Sequence, residues 1–94
     1  MDDILIEVPA MQSKASQLQA LSRRICSMAE KMSAIQAQLS AAWKDEGFSE
    51  YDSDFTSGIN SILALQETVN AMAQVCNLVC DEYQTADNKI MSLI

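Results

Sequence analysis

Trp43-Lys44-Asp45-Glu46-Gly47-Phe48-Ser49 is the break in a chain that on both sides repeats its apolar residues at helical spacing. Upstream, Val8, Met11, Ala15, Leu18, Leu21, Ile25, Met28, Met32, Ile35, Leu39 and Ala42 recur in steps of three and four, the period of one helical face. Pro9 falls in the first turn, where its missing N–H removes no intrahelical bond. The spacing predicts a first helix over about 9–42. Downstream, Phe55, Ile59, Ile62, Leu65, Val69, Met72, Cys76, Val79, Tyr83, Ala86, Ile90 and Leu93 carry the same period, predicting a second helix over about 50–92. Gly47 is able to take a positive φ, and Ser49, three residues before Asp52, has the pattern of a helix N-cap. The stretch 43–49 therefore reads as a turn. Two long helices joined this closely form an antiparallel hairpin, so the fold class is all-α, with residues 1–94 as one domain.

Each apolar stripe is wider than a two-per-heptad seam, because Leu18 with Leu21, Met28 with Ala29 and Leu63 with Leu65 spread around the helix. A hairpin alone does not cover stripes of that width, which predicts a further helical neighbour and, in its simplest form, dimerisation into a four-helix bundle. The expected partner interface comprises Leu18, Leu21, Ile25, Met28 and Met32 on the first helix and Ile62, Leu65, Val69 and Met72 on the second. Size points the same way: a chain of 94 residues buries only about 60% of its unfolded surface on folding alone.

Six Lys and Arg against thirteen Asp and Glu give a formal charge of −7, which disfavours nucleic acid and anionic lipid surfaces as partners. The chain contains no His, removing the commonest general base and metal ligand. No enzyme activity, cofactor or metal is expected. The acidic start at Asp2 and Asp3, followed by a short apolar run, lacks the form of a secretory signal peptide, and no stretch approaches the ~20 apolar residues that span a bilayer. Three cysteines, an odd number, fit a reducing site of folding.

Charge divides along the rod. Residues 8–44 carry Lys14, Arg23, Arg24, Lys31 and Lys44 against Glu30, and residues 45–94 carry nine acids against Lys89. With the turn centred near Glu46, residue i faces about 92 − i, which places Arg24 beside Glu67 and separates Cys76 from Cys26 by more than a disulfide permits. Cys76 and Cys80 do not complete a tetrahedral metal site, and Cys76 reads as a small buried apolar side chain. Gly58, costly inside a helix, predicts the close approach of a neighbouring helix.

Four of the five aromatics, Trp43, Phe48, Tyr51 and Phe55, cluster around the turn, where they either seal the hairpin end or form a docking surface. Near the other end, Tyr83 and Asp87 lie four residues apart on one helical face. With the Trp-containing midpoint turn, Ile6-Glu7-Val8-Pro9 near the start and this Tyr-x-x-x-Asp, the chain resembles over essentially its whole length the WXG family of small type VII secretion substrates, the early-secreted-antigen-like helical hairpins. One departure stands out. The family's Trp-x-Gly is Trp43-Lys44-Asp45 here, with either Asp45 in a left-handed conformation or the later Gly47 standing in for the glycine.

The resemblance implies export without a cleaved signal peptide from a Gram-positive-type bacterium. The exported form is a folded dimer with itself or with a homologous or larger helical-headed effector, recognised by a type VII secretion ATPase. It maps the secretion signal onto Tyr83 and Asp87, with Trp43 as its second element. Other readings are an intracellular helical adaptor, which would not depend on Tyr83 and Asp87, and a membrane-active helix pair, which the acidic second helix disfavours.

Overall fold

An N-terminal proline and an unbroken run of helix formers set the first element. Its backbone enters through Glu7, whose carbonyl accepts the Met11 N–H at 2.9 Å, and Pro9 lies in the first turn. In a computed structural model that describes residues 6–93, α1 spans Val8–Ala42 and α2 spans Phe48–Leu93. The reading of the acidic start at Asp2 and Asp3 lies outside the described residues. The two helices form an elongated hairpin of 76 × 19 × 16 Å. Its radius of gyration is 21.4 Å, against about 12 Å for a compact domain of this length.

The turn is shorter than the sequence pattern predicts. Helix α2 begins at Phe48 rather than near Glu50, and Ser49 is not its N-cap. The Ser49 hydroxyl donates to the Glu46 carbonyl at 2.9 Å, and the Glu50 N–H bonds the Gly47 carbonyl at 3.2 Å, so the first helical turn is already closed there. At the end of α1, the Trp43 N–H bonds the Leu39 carbonyl at 2.8 Å. Lys44 Nζ donates to the Ala41 carbonyl at 2.8 Å, placing a cation at the negative end of the helix dipole.

Polar contacts fix the register between the helices. Gln66 Nε2 donates to Ser22 Oγ at 2.9 Å, Gln36 Nε2 donates to Asp52 Oδ1 at 2.7 Å, and Cys80 Sγ lies 3.9 Å from the Val8 carbonyl. In each pair the two residue numbers add to 88, one helical turn away from the expected 92, because the earlier start of α2 moves the fold-back point toward the N-terminus. Steps of seven from these pairs place Ala15 level with Ala73 and Ala29 level with Ile59, all four buried. Small side chains at alternate layers bring the helices close, with Ile25, Val69 and Cys80 filling between them. Cys80, not Cys76, is the buried thiol, and all three cysteines are free.

The expected pairing of Arg24 with Glu67 fails for a geometric reason. Arg24 follows the seam residue Ser22 by two positions and Glu67 follows Gln66 by one, so at 100° per residue they project to opposite sides of the hairpin. Among the described residues, the side-chain hydrogen bonds that cross the seam use uncharged donors. Gly58 meets nothing within 4 Å of where a Cβ would stand, so α1 makes no close approach there. A Gly58→Ala variant should therefore be stabilised by about 0.5–1 kcal/mol, raising the thermal midpoint by several degrees in a circular dichroism melt. Enlarging the packed position with Ala73→Leu should destabilise by about 1–3 kcal/mol in the same measurement.

Candidate functional site

The faces of the hairpin follow from the seam. One residue before each seam position, the side chains are Lys14, Leu21, Met28 and Ile35 on α1 and Tyr51, Gly58, Leu65, Met72 and Val79 on α2. One residue after, they are Ser16, Arg23, Glu30 and Ala37 on α1 and Ser53, Asn60, Glu67, Gln74 and Asp81 on α2. Two antiparallel helices are related by a twofold axis normal to their common plane, so residues at the same offset from the seam emerge on the same side. Apart from Lys14, one broad side of the rod is thus apolar along both helices, and the other is almost wholly polar.

The apolar side is open. Leu21, Met28, Ile35, Leu65 and Met72 each leave between 44% and 54% of their surface exposed. On α2 the face includes an apolar groove lined by Thr68, Ala71, Met72, Val75 and Cys76. The whole chain exposes 7075 Å², against roughly 5,400 Å² for a compact monomer of its mass. That excess exceeds the ~800 Å² per partner of a standard interface.

The structure divides the nine expected interface residues by their offset from the seam. Ile25 and Val69 are buried between the two helices of the same chain, and Leu18 and Ile62 are half-buried at its margin. Leu21, Met28, Met32, Leu65 and Met72 stand exposed on the apolar side. Ile35 and Val75, which widen the stripes in sequence but stand outside the nine expected interface residues, join that side once the register is known.

At the turn, Trp43 packs on Phe48 and Tyr51 with ring centroids 5.6 and 5.7 Å apart, and Phe48 stacks on Phe55 at 6.1 Å. Phe48 is buried and seals the hairpin end, whereas Tyr51 and Phe55 leave part of their rings exposed and extend the apolar side to the tip. Asp45 organises this end. Its Oδ1 accepts the Gly47 N–H at 2.7 Å, an Asx turn, and the Trp43 indole N–H at 2.7 Å. Neither expected glycine substitute acts through a left-handed backbone, since no described residue has a positive φ. The carboxylate supplies the turn instead, and a Cβ on Gly47 would come within 2.9 Å of Asp45 Oδ1.

Tyr83 is half-buried and Asp87 exposed one turn further along α2. They lie about 50 Å from the turn at 1.5 Å per residue, so a single chain does not bring them to Trp43. Helix α2 runs beyond the level of Val8, and its last turns carry exposed Ile90, Met91 and Leu93. Among the described residues no group of three or more His, Cys, Asp or Glu is arranged to hold a metal ion. No described helix is long and apolar enough to cross a membrane.

A protein-family model, WXG100, described as proteins of 100 residues with WXG, matches residues 3–88. No curated protein and no solved structure matches the chain.

The turn geometry makes a direct prediction. Asp45→Ala removes the acceptor for two N–H groups and should cost about 1 kcal/mol, with a red-shifted Trp43 emission. Asp45→Asn, which retains the carbonyl oxygen, should lose less than half of that in the same denaturant titration.

Proposed function

The chain belongs to the WXG100 family, small helical proteins of the type VII secretion kind, and from that premise we propose that it is a non-enzymatic secretion substrate exported as a folded homo- or heterodimer. The observation that carries this reading is the continuous apolar side made by Leu21, Met28, Ile35, Leu65 and Met72, a surface suited to the matching side of another helical hairpin in a four-helix bundle. The partner is a second copy or another helical protein, including a larger effector that this chain accompanies. Export proceeds without a cleaved signal peptide, from a Gram-positive-type bacterium.

The proposed recognition surface for the secretion ATPase comprises Tyr83, Asp87 and Trp43. Because Trp43 lies some 50 Å along the rod from Tyr83 at helical rise, the surface is composite. Two hairpins docked with their turns at opposite ends set the turn of one beside the overhanging end of α2 from the other. Turns at the same end would instead set each Trp43 beside the other and about 50 Å from either Tyr83. Only the assembled pair then presents the complete signal.

Single substitutions test the assignment. Tyr83→Ala or Asp87→Ala should leave the assembled species unchanged by sedimentation while the protein disappears from the culture supernatant of a host with the secretion system. Unaltered export of both variants would remove these residues from the signal. An intracellular adaptor would show no export in either form. Replacing Met72 with Glu on the open side should instead dissociate the pair, leaving the helical content of the hairpin intact.

A further inference from the structure

The edge of the open side names the kind of partner more closely, an inference that rests on the docking reading above. Two positions after the seam residues, α1 presents Gln17, Arg24, Lys31 and Gln38, all exposed, and Lys14 stands among the apolar positions of the same face. No acid occupies any of these positions; Glu30, the acidic residue of α1, follows the seam by one and lies on the polar side. The edge of α1 that borders the apolar side therefore carries positive charge only, at Arg24 and Lys31, with glutamine at either end. The corresponding α2 edge reads Asp54, Ser61, Thr68, Val75 and Glu82.

In the opposite-ends arrangement the twofold axis lies across the rod, so a second copy lays its α1 antiparallel on α1. Centred near Ile25, the midpoint of Val8–Ala42, such a pair sets Arg24 about two residues, or ~3 Å along the axis, from the same arginine of the second copy. Lys31 then falls within two turns of it. Shifting the centre by about two to three residues toward the C-terminus exchanges Arg24 against Arg24 for Arg24 against Lys31, and shifting it by about six toward the N-terminus sets Arg24 level with Lys14, again like against like. Like charges set edge to edge act against a partner while the apolar contacts stay favourable.

We propose that the open side is built for a heterologous helical hairpin whose contacting edge carries carboxylates opposite Arg24 and Lys31, and that the like-charged edge of α1 weakens self-pairing. The chain itself supplies the probe. Arg24→Glu/Lys31→Glu reverses the edge without touching the seam or the apolar side. Arg23→Glu, on the polar side, is the control.

Sedimentation equilibrium of the full-length proteins at ~20 mM salt should show the mixture of wild type and R24E/K31E associating about tenfold or more tightly than either protein alone, with the advantage shrinking toward parity at ~500 mM salt. Wild type mixed with R23E should show no such gain. The proposal is overturned by a wild-type homodimer as tight as the mixed complex at low salt, by an equal gain with R23E, or by no complex in any mixture. The first of these leaves the secretion reading intact, because a self-paired substrate is still exported; loss of export on Tyr83→Ala is scored independently of all three.

Discussion

The offset between seam and stripe governs this molecule. The residues that lock α1 to α2 recur every seven positions, from Ala15 through Ser22 and Ala29 to Gln36, and they are small or polar. The larger apolar residues, Leu21, Met28 and Ile35, sit one position earlier. A seam of small residues brings two helices close but encloses little volume, and the bulkier side chains are left turned about 100° away. The twofold relation of antiparallel helices then gathers those side chains onto one side. A hairpin built this way is complete in backbone hydrogen bonding and incomplete in apolar burial.

The polar contacts inside the seam have a different role from the apolar ones. Ser22 with Gln66 and Gln36 with Asp52 satisfy part-buried groups across the helices, and Gln36 also donates to the exposed Thr56 hydroxyl. A slip by one turn would break these pairs and leave buried polar atoms without partners, a cost larger than the net gain of making the bonds. They set register where alanine layers alone would allow sliding. Register in turn decides which residues border the open side, so a few hydrogen bonds from uncharged donors determine that Arg24 and Lys31 edge it while Arg23 and Glu67 do not.

The family's turn survives here by a substitution of means. Where Trp-x-Gly places a glycine, Asp45 places a carboxylate that binds the Gly47 amide and the Trp43 indole together. The indole is thereby held against Phe48 and Tyr51, and α2 starts two residues sooner than its apolar period suggests. The sequence contained a signal for this arrangement, since an Asp two residues before a Gly is a common Asx-turn pattern that needs no left-handed backbone.

Periodicity alone determined the two helices, their hairpin connection and the excess of apolar surface, because a repeat of three and four over dozens of residues admits one local structure and a short turn admits one topology. Residue order also set the basic character of α1 and the acidic character of α2. What periodicity left undetermined was the division of each wide stripe. Leu18, Leu21 and Ile25 all satisfy a helical period, yet Ile25 is buried in the hairpin and Leu21 is exposed on its open side. That division depends on the angle each helix turns toward the other, and the angle follows from side-chain packing at Ala15, Ala29 and Ala73 and from the Ser22–Gln66 bond, contacts between residues far apart in the chain. Only the folded hairpin fixes them, so only the tertiary structure separates the residues that hold the chain together from those left for a partner.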